Sequence, residues 1–468
     1  MKKIIISLLF GMLVASSHAQ SIPETIKGIN KILTPTTLEI VSEKYSDIGI
    51  PIENRANISA HMVISKTNAI VKVQVQSRLG KEKIAVGSGS IIREDGLIVT
   101  NYHVISSHFS DPANNKIVYS VGKDSEEIVA NLEAVDLVND LALIKPLAKT
   151  EYKNIVEIEK SNLQQGQRIY SLGFPHNWSM TMIEGIFNGY MDKQLTSQYL
   201  VSHALSSGMS GGPTFNEDGK LVAINVAATD KLSILIPATS LSILLSRYKQ
   251  EVKVYPTKEQ YILKINLIRD NAISRYEDFS EDLLTRIIKS DSFEIGKFKL
   301  PLRNKLFECW SRKEKPEPSN LDRVEIKQKE ELVQIERSCS TQDNIFLQED
   351  NNIGQISVNT YYYQNNNTTP LVIWKTLEKK FNVVAIKNEN LTNIFKGKCF
   401  IKNVTNTGKK LQKMQICISP LKETNRLWRI QVAQIYQDGF NQAMILDFLF
   451  DGFTEKSINK IIGYTKKI

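Results

Sequence analysis

The sequence predicts an all-β domain of barrel or sandwich type followed by an α+β domain, and three observations carry that expectation. Between Asn68 and about Ala238 the chain runs in short apolar or alternating segments broken by turn signals, as a many-stranded antiparallel domain does. Helical spacing dominates only after Pro237, and from about Glu331 alternation returns, mixed with further helical stretches. Composition changes at the junction: Gln20–Gln250 holds 22 basic and 23 acidic residues, Glu251–Ile468 holds 35 and 27, and 16 of the 23 glycines precede position 250. A chain of 468 residues exceeds what one core organises, and 42% hydrophobic with 23% charged residues excludes wholesale disorder.

Taken in order, residues 1–19 have the layout of an export signal. Lys2 and Lys3 precede an apolar run from Ile4 to Val14, and small residues lead to a cleavage position after Ala19. The run is shorter than the ~20 residues a spanning helix needs, and no later stretch is long enough, so no membrane span is expected once the signal is removed. The mature chain is then expected in the periplasm or outside the cell. Residues 20–67 form an N-terminal extension in which TPTTLEIVSEKYSDIG suits one short helix.

The strand candidates of 68–250 are AIVKVQVQS, GSIIRE, GLIVTNYHVI, KIVYSV, LALIKP, RIYSLGF, TFNEDGKLVAIN and LSILIP. Asp95-Gly96 and Asp218-Gly219 stand between apolar runs, where a hairpin turn belongs. ATSLSILLSRY closes the region as a helix. In 251–330, YILKINLIRDNAISRYEDFSEDLLTRIIKS reads as one or two amphipathic helices, and RKEKPEPSN as an exposed linker. In 331–468, the runs LVQIERSC, GQISVNTYYY, KCFIKNV, LQKMQICIS and LWRIQVAQIY alternate, and LVIWKTLEKKF is a helix candidate with another near the end. The C-terminal half, from about 255, is expected to fold separately, to position substrates or partners and to carry no chemistry.

All four cysteines lie late, at Cys309, Cys339, Cys399 and Cys417. Export favours disulfides, and four thiols allow three pairings. Cys309 with Cys339 and Cys399 with Cys417 are the sequence neighbours. A zinc site is disfavoured, because no pair has the close spacing of a zinc knuckle and no His follows nearby.

Three segments carry chemistry. GMSGGP, Gly208–Pro213, sets Ser210 among glycines that let the N–H groups of Gly208 and Ser210 turn toward one point, as a developing oxyanion requires. TNYHVI places His103 at the end of an apolar strand, with the unperturbed pKa near ~6.5 that a general base at neutral pH calls for. NDLALIKP puts Asp140 directly before an apolar strand, where its carboxylate can enter beside an imidazole. Asp136, four residues earlier, is the competing carboxylate. Each alone is as readily a turn, a structural histidine or a cap; the combination is specific.

With those residues in view, the chain resembles the trypsin-like serine peptidases of the chymotrypsin fold, and within them the bacterial HtrA/Deg branch. GSGSIIREDGLIVTNYHVI is similar to that branch's segment leading to the catalytic His, NDLALIKP to its Asp segment, and SSGMSGGPTFNEDGKLVAIN to its nucleophile loop. The members stand 37 and 70 residues apart in the order His, Asp, Ser. The resemblance covers about 68–245 and implies an all-β double-barrel peptidase domain, followed here by the α+β domain. It implies a Ser-His-Asp triad of His103, Asp140 and Ser210, an oxyanion hole from Gly208 and Ser210, and a polypeptide substrate, without metal or organic cofactor. Met209 replaces the acidic residue through which zymogen-type members are activated. No PDZ domain is recognisable after the peptidase region.

By the same resemblance the primary specificity pocket falls at Ala204 and Leu205, with its other wall at Asn225, Val226 and Ala227. No acidic residue lies there, which disfavours Lys or Arg at the cleavage site and suits a small or medium apolar side chain. His203 is expected to be an exposed bystander. Residues 371–430 hold 13 basic and 3 acidic residues, a patch able to meet an anionic surface or protein partner; no specific nucleic-acid motif accompanies it. A catalytically idle binding or scaffold protein on the same fold is the alternative function.

Overall fold

In the computed structural model, residues 65–466 are described apart from short stretches, the longest being 249–256, 315–331 and 404–410. The export segment 1–19, the helix expected within 20–67 and most of the linker RKEKPEPSN lie outside the described residues.

Six strands close the first barrel: β1 (Ile70–Ser77), β2 (Lys83–Ile91), β3 (Ile98–Asn101), β4 (Asn115–Val121), β5 (Ile128–Asp136) and β6 (Leu141–Pro146), in the order β1-β2-β3-β6-β5-β4. Six more close the second: β7 (Arg168–Gly173), β8 (Thr181–Tyr190), β9 (Tyr199–Val201), β10 (Pro213–Phe215), β11 (Leu221–Ala228) and β12 (Ser233–Pro237). Neighbours pair antiparallel, and closure leaves no free sheet edge. Both Asp-Gly turns are formed: Gly96 N–H bonds Arg93 C=O at 3.0 Å, and Gly219 N–H bonds Asn216 C=O at 3.1 Å.

GLIVTNYHVI is not one strand. It extends only to Asn101, and helix α1 (Tyr102–Ser110) follows, because Tyr102, Ile105 and Phe109 recur at helical spacing and are all buried. Helix α2 (Ala238–Arg247) closes the barrel region, and the amphipathic stretch after it is a single 31-residue helix, α3 (Lys258–Ile288). The Thr257 hydroxyl caps α3 by accepting from Gln260 N–H at 3.3 Å. Its buried residues Tyr261, Ile265, Ile268, Ala272, Ile273 and Tyr276 follow steps of one, three and four.

A hairpin of β13 (Asp291–Ile295) and β14 (Phe298–Arg303) follows, then β15 (Phe307–Glu314), β16 (Leu332–Thr341), the short hairpin strands β17 (Ile345–Gln348) and β18 (Asn351–Ile353), and β19 (Ile356–Asn365). After helix α4 (Pro370–Ile394) come β20 (Lys398–Asn403), β21 (Leu411–Leu421), β22 (Thr424–Asp438) and β23 (Gln442–Thr454), and helix α5 (Glu455–Thr465) ends the described chain. Seven of these strands form one antiparallel sheet in the order β15-β16-β19-β23-β22-β21-β20. Two disulfides join directly paired residues on its edges: Cys309 to Cys339, and Cys399 to Cys417, with Cα separations of 4.1 and 4.0 Å. Helix α4 covers one face through Leu377, Phe381 and Val384. The Lys380 ammonium lies 4.2 Å from the Tyr361 ring centre and Lys413 5.2 Å from that of Phe381, so part of the basic character of 371–430 is used in this packing.

Ser65–Ile468 forms one compact unit. Its largest apolar cluster runs without interruption from Val71, Tyr102 and Phe109 of the first barrel through Tyr261 and Ile265 of α3 to Ile345, Phe448 and Phe450. A buried ion pair crosses the same boundary, Lys264 Nζ donating to Glu133 Oε1 at 2.6 Å. The second barrel keeps a separate core around Ile169, Phe187, Tyr199 and Leu235. No helix among the described residues is long and apolar enough to cross a membrane.

Candidate active site

The three sequence motifs converge between the barrels. Asp140 sits at the tight turn between β5 and β6 with φ at +49°, a left-handed conformation that Asp tolerates better than most residues. Its backbone carbonyl accepts from Asn101 Nδ2 at 2.9 Å and from Tyr102 N–H at 3.1 Å. Its carboxylate then meets His103 twice: Oδ1 accepts the backbone N–H at 2.8 Å, and Oδ2 accepts from the ring Nδ1 at 2.6 Å. With Nδ1 donating, the tautomer leaves Nε2 as the basic nitrogen. Desolvation by the surrounding protein lowers the imidazole pKa, but the charge of Asp140 and its hydrogen bond outweigh it, so His103 stands above the ordinary histidine value.

Asp136 does not enter this group. Its carboxylate accepts from Val138 N–H, Asn139 N–H and Asn139 Nδ2 at 3.0 to 3.1 Å, closing the turn that presents Asp140.

The nucleophile loop is seated against the same place. A side chain on Gly211, where φ is +82°, would meet Ser88 C=O, the Thr100 hydroxyl and, at 2.9 Å, Asn101 N, so only glycine allows this approach. Ser88 N–H donates to Ser210 C=O at 2.7 Å, and the Ser88 hydroxyl donates to Gly208 C=O at 2.7 Å while accepting Phe174 N–H at 3.0 Å. One serine of β2 thus holds the loop across the barrel junction, and Gly208 itself, at φ +93°, abuts Phe174 C=O. The N–H groups of Met209, Gly211 and Gly212 all have backbone acceptors. Those of Gly208 and Ser210 have none among the described residues. The two free donors lie on either side of Met209, whose own N–H is bonded, and a peptide C=O converted to an oxyanion would satisfy both.

The Ser210 hydroxyl donates to Val226 C=O at 2.9 Å. In this state the hydroxyl is bonded to that carbonyl and not to His103; catalytic hydrogen bonds often form fully only once substrate is bound.

Of the expected pocket residues, Ala204 is exposed, while Leu205 belongs to the second barrel's core and donates its N–H to Ser233 Oγ at 2.8 Å. Asn225 is fully buried: its Nδ2 donates to Leu172 C=O at 3.0 Å and Met209 C=O at 3.3 Å, and its Oδ1 accepts from Thr214 at 2.7 Å. It braces the nucleophile loop from behind. Val226 is half-buried, and Ala227 pairs with Ile234 in β11 and β12. His203, expected to be exposed, is 6% exposed. Its Nε2 lies 2.9 Å from Ser171 Oγ, and burial pulls its pKa down to about 4. The side chain packs inward against Gly185 of β8, a contact that only the closure of the second barrel creates.

Sequence reasoning missed Ser88, Asn101 and Tyr102 as parts of this site. The GSGS run could have pointed to Ser88. Among the described residues no group of three or more His, Cys, Asp or Glu could hold a metal ion.

Comparison with known proteins points to the same family of peptidase domains. Residues 87–224 match the trypsin-like peptidase domain family. The chain is 29% identical over 214 residues to the human serine protease HTRA4, covering 43% of either chain. It is 30% identical over 243 residues to a probable periplasmic serine endoprotease, DegP-like, of Rickettsia prowazekii, covering 48% of this chain and 46% of that one. It thus spans less than half the length of these relatives. A serine endoprotease structure from Yersinia pestis overlaps 40% of the chain and 65% of its own at 22% identity and a TM-score of 0.35, so the barrel assignment rests on the strand order instead. The family match, the relatives and the two closed barrels together make this stretch a trypsin-like serine peptidase domain of the HtrA/Deg branch.

Proposed function

We propose that the chain is an exported serine endopeptidase that cleaves polypeptides through an acyl-enzyme intermediate. The observation that carries this is the double hydrogen bond between His103 and Asp140, set beside a loop with two free N–H donors. In the reaction, Ser210 Oγ attacks the peptide carbonyl as its proton passes to His103 Nε2. The new C–O⁻ is held by the N–H groups of Gly208 and Ser210. Collapse expels the amine, which takes the proton back from His103, and water repeats the cycle to free the acid. Asp140 holds the tautomer and stabilises the imidazolium without being protonated itself.

Export is supported by the layout of residues 1–19, by the two disulfides and by the periplasmic designation of the DegP-like relative. The substrate pocket is assigned to the region of Ala204, Leu205, Asn225, Val226 and Ala227, where exposed Ala204 and half-buried Val226 can meet a substrate side chain while Leu205 and Asn225 support them from the core. The basic stretch 371–430 is assigned to an anionic partner or surface.

The test is incubation of the purified mature protein with casein beside a Ser210→Ala control. Casein should disappear only with the wild type. Equal loss in both samples would overturn the assignment. A fluorophosphonate probe, which labels only a competent serine, separates the peptidase from an idle scaffold.

A further inference from the structure

The helix that presents His103 is held at both ends by parts of the chain that follow position 250. At its first residue, the Tyr102 ring is buried edge-on against Phe109, with ring centres 5.3 Å apart, and its hydroxyl donates to Leu347 C=O of β17 at 2.5 Å. Near its end, His108 uses Nδ1–H for Asn115 C=O at 3.1 Å, so its Nε2 accepts the Tyr261 hydroxyl of α3 at 2.9 Å. Arg269 of α3 donates to Phe109 C=O, one of the terminal carbonyls that a helix leaves unpaired, and its guanidinium lies 5.2 Å from the Phe109 ring centre. Ile345 of β17 shares with Tyr102, Asp140 and Val226 the walls of a cavity of about 70 Å³ beside the triad.

Within the first barrel, β3 ends at Asn101, Asp140 ties the helix through its first two residues, and Asn115 of β4 ties its far end by accepting from His108 and donating to Ser107 C=O at 2.9 Å. The bonds to Leu347, Tyr261 and Arg269 are added to these from beyond position 250. Nine residues of helix are too few to hold their own direction in water. The direction of α1 nonetheless decides whether His103 Nε2 faces Ser210, and a small error in that angle is costly to catalysis.

We propose that Tyr102, Tyr261 and Arg269 are positioning residues that clamp the helix bearing the general base, so that the C-terminal half is a working part of the peptidase active site. This rests on the reading of His103, Asp140 and Ser210 as the triad. None of the three clamp residues touches substrate; they act through the orientation of His103.

The test compares full-length wild type with Tyr102→Phe, Arg269→Met and the double variant. Phe keeps the packing of Tyr102 and loses only its bond to Leu347, and Met keeps much of the volume of Arg269. Arg312→Ala, on the exposed edge strand β15, is the control. Turnover of a short peptide ester is measured per active site titrated with fluorophosphonate, which removes any unfolded fraction, at temperatures well below each variant's melting point. Roughly tenfold lower kcat for each single variant, with KM changed less than about twofold, is the expected result. The downfield proton signal of the His103 to Asp140 hydrogen bond should weaken in parallel, and Arg312→Ala should match the wild type. If all three variants keep wild-type kcat per titrated site, or if KM rises while kcat stays, the clamp is refuted. Ser210→Ala run beside them keeps the two ideas apart. Residual turnover in it refutes the triad, whereas its inactivity beside fully active clamp variants refutes only the clamp.

Discussion

Asp140 and Asp136 are chemically identical and four residues apart, yet the structure gives them different work. Asp140 faces an imidazole; Asp136 closes a turn with three hydrogen bonds. Asp140→Asn should lower kcat on the order of 10⁴-fold, because the amide favours the wrong tautomer of His103. Asp136→Ala should leave kcat nearly intact and cost roughly 1–2 kcal/mol of stability, read as a lower melting temperature. A matching loss of kcat in both would reverse the assignment. The pH profile has a defined sign. His103 must be neutral to accept a proton and stands above the ordinary histidine value, so the acid limb of kcat/KM should lie above ~6.5 and move down in Asp140→Asn. Two other histidines act on stability. His108 and His203 are buried, and their pKa values are pulled down to about 4. The unfolded chain then binds more protons below ~6.5, so stability is full above that pH and falls as pH drops toward 4, by on the order of 3 kcal/mol for each. Thermal melts across this window check it; a melting temperature flat from pH 7 to 4 would count against both.

At the scale of elements, the contact between α3 and β5 depends on a charge pair with little access to water. Lys264 and Glu133 are 8% and 9% exposed, and Tyr248 donates its hydroxyl to the same carboxylate at 3.1 Å. Lys264→Met leaves Glu133 buried with only a tyrosine for company, a change expected to cost ~3–5 kcal/mol, whereas replacing both residues by apolar ones of similar volume should recover most of it. Denaturant melts of the single and paired variants decide this, and additive losses would mean that the pair is not coupled. The two disulfides close loops of 30 and 18 residues at opposite edges of the seven-stranded sheet. Reduction should therefore remove about 3 kcal/mol for each under the chain-entropy model, and a melting temperature insensitive to reductant would show the sheet to be self-sufficient.

For the whole molecule, one apolar cluster joins the first barrel to the C-terminal half, while the second barrel has a core of its own. A chain ended after Tyr248 uncovers Tyr102, Phe109 and the outer face of β5, and is expected to bind a hydrophobic dye and to associate. A soluble monomer with a sharp thermal transition would show that the first barrel needs no cover. The same arrangement makes loss of the C-terminal half a loss of the clamp on α1, so such a chain should be poor even toward a small ester.

Local pattern determined a good deal of this protein. Alternation and Asp-Gly turns are short-range signals, so nine of the twelve barrel strands and the long helix α3 are legible in the chain, though β5, β8 and β9 are not among the strand candidates. The His, Asp and Ser segments are legible too, since their residue types state their chemistry. TNYHVI was less legible, because a short apolar run fits a strand as well as the first turn of a helix, and burial of Tyr102, Ile105 and Phe109 against other elements settles it as a helix. The burial of His203 and the bracing role of Asn225 were not legible either, since both depend on what packs behind them. Tertiary structure alone decided that Leu347, 245 residues along the chain from Tyr102, supplies its hydrogen-bond acceptor. The physical reason is that a backbone carbonyl exists at every position and has no sequence signature. Which carbonyl a buried hydroxyl finds is set by the closure of the barrels and by the apolar faces that α3 and the seven-stranded sheet must cover together.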